Sequence, residues 1–328
     1  MDILYTCNDN YVWLMGISCV SLFENNKNLQ DLNVYLIGEH ISEINKNKLH
    51  KIASDYNRNI YIIDAPQLEI PDALVSTRWP YAAFMRLFSA QILPSNITKI
   101  LYLDCDTIIN GEISELIKID ISGKIAVGVR DCISELYRKN IGLSRNDFYI
   151  NAGVILFNLE ELRKININDK IQNYMKKYGK LINYADQDLL NGIFKKQIGV
   201  MKANYNVMTI DLVYDYKDVI KLRKPTEYYS EEEFEYAKKE PLIIHYTTNM
   251  RTIRPWYSNT NHPMAEKFEL YKNKSPWGNI EYQKKFFSDK QNVIVGIVQK
   301  LPNKIGYSIL GFVHAQLKPM YIRIKAGL

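Results

Sequence analysis

Apolar positions along the first hundred residues follow a simple order. Residues 3–7 form an apolar run that reads as a strand, broken at Asn8-Asp9-Asn10. Residues 11–22 carry apolar side chains at helical spacing, 32–37 alternate as a second strand, 42–56 read as a helix and 59–64 as a third strand. This strand–helix–strand–helix–strand order predicts an α/β fold with a parallel sheet and right-handed crossovers. Residues 66–80, with Pro66, Pro71 and Pro80, read as an irregular loop ending at Trp79-Pro80. Residues 81–92 then read as a helix with Arg86 among Phe84, Met85, Leu87 and Phe88. Either that arginine snorkels along apolar surface or it faces a pocket and binds an anion. Apolar runs at 100–103, 125–129, 149–159 and 242–246 extend the sheet.

The candidate chemistry sits where these runs end. In KILYLDCDTIIN (99–110), Asp104 and Asp106 follow a buried-strand signal with one residue between them. Side chains two apart on an extended strand end point to the same side. Two carboxylates so placed repel each other unless a cation lies between them, and hard divalent cations prefer oxygen ligands. Strand ends of this kind are where open α/β sheets bind ligands. The alternative is an acidic turn in which Asp104 caps a helix starting near Gly111.

Four further stretches are informative. TCNDNY, after the first strand, is polar with one aromatic ring and could hold a nucleotide base, or be an asparagine-rich turn. In YINAGVILFNL (149–159), Asn151-Ala152-Gly153 interrupts strand-like residues with small ones, which suits close approach of a ligand or a bulge in a buried strand. In NYADQDLLNGIF, Asp186, Gln187 and Asp188 fall near a helix start, as caps or as partners for sugar hydroxyls. LIIHY ends in His245, which could complete a metal site or be structural; His40, His50, His262 and His314 lack such a setting. In the following TTNMRTIRPW, Arg251 and Arg254 could reach a diphosphate.

Composition narrows the classes. The chain has 328 residues, 47% apolar and 24% charged, as in globular proteins. The net charge of +6 lies wholly within residues 281–328, so the first 280 are neutral and a nucleic-acid partner is not expected. Cys7, Cys19, Cys105 and Cys132 lack metal spacing and suit reduced thiols in a cytosol. The amino terminus shows no secretion signal, and no uncharged run reaches the ~18 residues that would suggest a membrane span.

Taken in order, DILYTCNDNY, AAFMRL, LYLDCDTII, YINAGVILFNL, DQDLLNG and HY…RPW resemble glycosyltransferase family 8, from Met1 to about residue 257. These are retaining enzymes typified by bacterial lipopolysaccharide galactosyl- and glucosyltransferases and by glycogenin. The resemblance implies a GT-A type nucleotide-sugar-binding domain over residues 1–275, with a mixed, mainly parallel sheet. It implies that Thr6, Asn8, Asn10 and Tyr11 hold the uridine of a UDP-hexose. Asp104, Asp106 and His245 would bind Mn²⁺, or Mg²⁺ in its place. Arg86, Asp104, Asp131, Asn151, Ala152, Asp186 and Gln187 would line the donor sugar, with Asp131, Asp186 and Gln187 as the catalytic candidates. Arg254 would stand where the family has a phosphate-binding lysine. Thr247-Thr248 replace a small residue here, and Arg254 lies nine residues past His245, so the loop over the diphosphate is longer than usual.

Residues 276–328 differ in character, with aromatic and apolar groups between isolated lysines. They read either as a segment lying on an anionic membrane, which suits a glycolipid acceptor on the inner face of a cell membrane, or as a small helical region packed on the catalytic body. Three rival functions use similar parts. A phosphatase-like hydrolase also places Asp-x-Asp after a strand, but near the chain start and with Thr or Val two residues after the second Asp, where this chain has Ile108. A nucleotidyltransferase would need a glycine-rich loop that TCNDNY lacks. A non-catalytic sugar-binding protein could share the fold.

Overall fold

In chain order the strands are β1 (Asp2–Asn8), β2 (Asn33–Glu39), β3 (Asn59–Asp64), β4 (Lys99–Leu103), β5 (Thr107–Ile109), β6 (Ala126–Arg130), β7 (Ile150–Asn158), β8 (Ile198–Val200), β9 (Val207–Met208) and β10 (Ile243–His245). The structure, a computed structural model, describes residues 1–71, 81–249, 252–286 and 303–328. Seven strands form one sheet in the order β3-β2-β1-β4-β7-β6-β8, and β5-β10-β9 form a second. β1 to β4 pair in parallel, while β7 is antiparallel to both β4 and β6. The expected mixed, mainly parallel sheet is present.

Alternation along the central strands sorts the core onto the two faces. Ile3, Tyr5, Leu101 and Leu103 pack in one apolar cluster; Leu4, Ile100 and Tyr102 pack in another on the opposite face. Burial on both faces is why these strands read as apolar runs rather than alternating ones. The helices Val12–Asn25 and Glu43–Asp55 cover the first face, and Ile167–Tyr178 and Ala185–Ile193 the second. Ser42 caps Glu43–Asp55 through its hydroxyl, which accepts from Asn45 N, and Asp9 reaches across to Ser42 and Asn45.

Three local expectations change. Residues Tyr81–Phe88 form a 3-10 helix, followed by a short α-helical turn at Ser89–Ile92, rather than one α-helix. Arg86 Nε donates to the Ala83 carbonyl at 2.9 Å, three residues back, a contact suited to a three-residue turn. β7 runs without a break through Asn151-Ala152-Gly153, yet its ladder to β6 slips there: Gly128 pairs with Ile155 and Arg130 with Ile150. The small residues therefore mark a bulge whose backbone groups are freed from β6. No helix starts at Gly111; β5 follows the two aspartates, and the next helical turn, Ser114–Lys118, has Ile113 and not Asp104 at its start.

Packing continues past residue 275. Trp277 is buried against Gly16, where an added Cβ would stand 2.0 Å from the indole. Further on, Asn303–Phe312, a π-helical turn at Val313–Leu317 and Lys318–Ala326 form a C-terminal helix docked on the body. Trp79, Arg251 and the tail residues 287–302 fall outside the described residues. All four cysteines are buried free thiols.

Candidate active site

β4 ends at Leu103, so Asp104-Cys105-Asp106 is a turn and not an extended strand end. The carboxylates nevertheless converge, because β10 runs antiparallel to β5 and sets His245 opposite Thr107. His245 Nε2 lies 3.6 Å from Asp104 Oδ2 and 3.3 Å from Asp106 Oδ1. One ligand atom from each of the three lies within 4.8 Å of the others, the single such group of His, Cys, Asp and Glu among the described residues. Two carboxylate oxygens and an imidazole nitrogen suit a divalent cation.

The electrostatics point the same way. Burial works against charge on His245, but Asp106 and then Asp104 raise its pKa above 6.5. Burial works against charge on Asp106 as well, yet His245 and Arg254 lower its pKa. The pair of aspartates thus demands positive charge, and a divalent ion meets that demand with Nε2 deprotonated.

The second layer was not foreseen from sequence. Asn206 is fully buried, and its Oδ1 lies 3.0 Å from His245 Nδ1. Its Nδ2 donates to Asn151 Oδ1 at 2.9 Å, and the same oxygen accepts from Gly153 N. With Oδ1 as acceptor, Nδ1 carries the proton and Nε2 faces the carboxylates with its lone pair. Asn206→Ala should weaken Mn²⁺ binding by roughly 10–100-fold at unchanged helix content, read by titrating the free-ion electron paramagnetic resonance signal. Unaltered affinity would show that the tautomer is set otherwise.

Arg86 faces the site rather than snorkelling. Nη1 lies 3.0 Å from Asp104 Oδ1 and donates to the Ala152 carbonyl at 2.6 Å; Nε lies 3.2 Å from Asp186 Oδ2. Its guanidinium stacks 4.3 Å from the Tyr102 ring, and Tyr102 OH donates to Asp104 Oδ1 at 2.7 Å. Burial opposes its charge, but Asp104 and Asp186 hold it firmly charged. Burial pushes the Asp186 carboxyl up to about 6, with Arg86 opposing.

Gln187 is fixed at all its polar positions. Oε1 accepts from Ala152 N (3.0 Å) and Asn151 Nδ2 (3.2 Å), while Nε2 donates to Asp131 Oδ2 (2.9 Å) and Tyr149 OH (3.0 Å). Tyr149 OH in turn donates to Asp188 Oδ1, and the other Asp188 oxygen accepts from Asn183 N and Tyr184 N. So of the three neighbouring polar residues, Asp188 braces the helix start, Asp186 faces Arg86 and Gln187 faces the cavity.

Two adjoining cavities share Tyr11, Asp104, Asp106, Asn151, Tyr184, Gln187 and Arg254. The smaller, about 250 Å³, is lined also by Thr6, Asn8, Arg86, Ala152 and Asp186. The larger, about 500 Å³, adds Asp131, His245, Thr247 and Thr248. Asn8 lines the smaller cavity, and its Oδ1 is buried with no hydrogen-bond partner among the described residues. Asn10 sits in the same turn but is exposed and lines neither cavity. Arg254 reaches the site despite its longer loop, 3.4 Å from Asp106 Oδ2 and stacked 4.6 Å over Trp256.

Comparison with known proteins places these features. The profile of glycosyl transferase family 8 matches residues 2–260. A lipopolysaccharide 1,2-glucosyltransferase of Escherichia coli is 27% identical over 86% of this chain and 81% of its own length. General stress protein A of Bacillus subtilis (strain 168) is 25% identical over 85% of this chain and 96% of its own. A crystal structure of the galactosyltransferase LgtC with donor and acceptor sugar analogues superposes with a TM-score of 0.70 at 20% identity, covering 89% of this chain and 99% of that one. The fold is therefore of the GT-A type, and the chain belongs to glycosyl transferase family 8 as a glycosyltransferase.

Proposed function

We propose that the protein transfers glucose or galactose from a UDP-sugar to a saccharide or glycolipid acceptor in cell-surface glycan synthesis of the lipopolysaccharide type, with Mn²⁺, or Mg²⁺, at Asp104, Asp106 and His245. The observation that carries this is the convergence of those three side chains where two cavities adjoin, the smaller of them lined by Thr6, Cys7, Asn8 and Tyr11 of the TCNDNY loop. Both a glucosyl- and a galactosyltransferase stand among its likenesses, so the donor is assigned only as a hexose. Residues 1–275 form the proposed catalytic unit, and 276–328 its basic C-terminal region.

The bound ion would neutralise charge on the diphosphate as the sugar–phosphate bond breaks. Arg254 adds a second positive group beside Asp106. Thr6, Asn8 and Tyr11 hold the base and ribose, and Arg86 ties Asp104 to Asp186 beneath the sugar. Gln187 is a poor nucleophile as an amide, and both acceptor positions of its oxygen are already used. Transfer with retention then proceeds on one face: the acceptor hydroxyl attacks where UDP leaves, its proton passes to a UDP phosphate oxygen, and UDP departs. Asp131 holds the Gln187 amide on the acceptor side. Turnover of UDP-glucose, UDP-galactose and their N-acetyl forms, with Mn²⁺ or with chelator, tests the assignment. Metal-dependent release of UDP from one hexose donor is expected; no turnover of any, or a trapped sugar–enzyme adduct, overturns it or its one-face route.

No helix among the described residues is long and apolar enough to cross a membrane. The C-terminal helix instead carries an exposed apolar stripe of Ile305, Ile309, Phe312, Met320, Tyr321 and Ile324, flanked by Lys318, Arg323 and Lys325. That pattern supports peripheral binding to the anionic inner face of a cell membrane from the cytoplasm. Ile309→Glu with Ile324→Glu should abolish sedimentation with phosphatidylglycerol vesicles, and the wild type should not sediment with phosphatidylcholine. Equal sedimentation of both proteins would remove the membrane from the proposal.

A further inference from the structure

The larger cavity has a wall that the smaller one lacks, made by Cys132, Ser134, Tyr137, Arg223, His314 and Ala315. The last two come from the π-helical turn Val313–Leu317. Its cause is local: Pro319 has no N–H to give the carbonyl of Ala315, four residues earlier. Ser134 Oγ donates to that carbonyl at 2.7 Å, and Asn140 Nδ2 donates to the Pro319 carbonyl at 3.0 Å. The helix is locked by close approach as well, since a Cβ on Gly311 would stand 2.0 Å from the Lys221 carbonyl oxygen. His314 and Ala315 are thus built into the cavity wall.

Arg223, the last residue of the helix Tyr216–Arg223, donates from Nη1 to His314 Nε2. Burial, then Arg223 and Lys318, push the His314 pKa down to about 3, so the ring is a neutral acceptor. It orients the guanidinium without neutralising it. No carboxylate of a described residue lies within ion-pair distance of Arg223, and no other hydrogen bond of this guanidinium is found among the described residues. Asp131, on the same cavity, is engaged with Gln187 and Asn151. Asp211 feels the Arg223 charge, but burial raises its carboxyl to about 7 and Met208 N and Tyr228 OH occupy it. A charged fork, with four N–H groups unpaired among the described residues, therefore faces the larger cavity.

We propose that Arg223, oriented by His314, binds an oxyanion carried by the acceptor, a phosphate or a carboxylate on the saccharide. This rests on reading the larger cavity as the acceptor site. A guanidinium pairs with either group through two parallel hydrogen bonds, whereas a neutral sugar leaves the charge to water. The C-terminal helix then has a share in acceptor choice, through His314, in addition to any role at a membrane.

Binding of glucose 6-phosphate, glucuronate and glucose to the full chain tests this, by isothermal titration with UDP and Mn²⁺ present so that the diphosphate site is filled. At least one charged sugar should bind about tenfold or more tightly than glucose, and which one does so separates phosphate from carboxylate. Arg223→Gln should erase that preference and Arg223→Lys should keep part of it. Equal binding of all three sugars by the wild type, or a preference that survives in Arg223→Gln, overturns the proposal. UDP release without any acceptor, measured on the wild type alongside, reports on the donor reading separately.

Discussion

Asp104→Asn and Asp106→Asn should each lower sugar transfer on the order of 10³-fold or more, with the larger share of the loss in metal affinity. Both changes keep shape and remove charge, so the fold should survive them. The two variants differ in what else they disturb. Asp104 also receives Tyr102 OH and faces Arg86, so its loss leaves Asp186 as the only carboxylate of a described residue on that guanidinium. Asp106 faces His245 and Arg254, and its loss leaves Arg254 without its carboxylate. Wild-type metal affinity should fall as pH drops through the His245 pKa, which lies above 6.5, because a proton then competes with the ion for Nε2. In Asp106→Asn that pKa loses its largest raising influence, so the fall should move to lower pH. Mn²⁺ titrations at several pH values, beside UDP release, measure both. Ordinary activity in either variant would contradict the proposed metal site.

Several parts of this site that were legible in sequence share one property: they sit at the margin of an apolar run. Asp104, Asn151 and His245 all sit at strand ends, where periodicity breaks and polar side chains must have a reason to be there. The strand–helix order of the first 64 residues was readable for the same reason. Asn206 has no such marker. It lies between a short 3-10 turn and the two-residue strand β9, and its meaning depends on contacts 55 residues back to Asn151 and 39 forward to His245. His314 seemed without a setting because the turn that aims it comes from Pro319 acting with Ser134, 181 residues from Ala315 in sequence. Tyr102 read as core, which it is, while its hydroxyl reaches Asp104. Patterns of period two or 3.6 report which face a residue occupies and carry nothing about a partner on another element.

Gly153→Ala should cost on the order of 10²-fold in activity, the scale associated with about 1 Å of misplacement at a reacting centre. The sequence offered Gly153 as a small residue beside a ligand, and the structure supplies a sharper reason. A Cβ there would stand 2.1 Å from His245 Cε1, 2.7 Å from Nδ1 and 2.9 Å from Asp104 Oδ2. Three atoms of the metal cluster would have to move together. The imidazole cannot swing freely, because Asn206 holds Nδ1 and the ring is buried. The backbone is held as well, because the Gly153 carbonyl accepts from Asp104 N at 2.7 Å and ties β7 to the turn that carries both aspartates. The substitution should therefore show first as lost Mn²⁺ affinity and only second as about 1–3 kcal/mol of lost stability from overpacking. Gly199→Ala is the matched control: its Cβ would meet Val127 Cγ2 at 2.9 Å, on a strand away from the cluster. Melting temperature, Mn²⁺ affinity and turnover measured on both variants separate the two effects. Comparable melting with metal affinity lost only in Gly153→Ala is the expected result; equal activity in the two would mean that the cluster tolerates a methyl group where the geometry leaves no space for one.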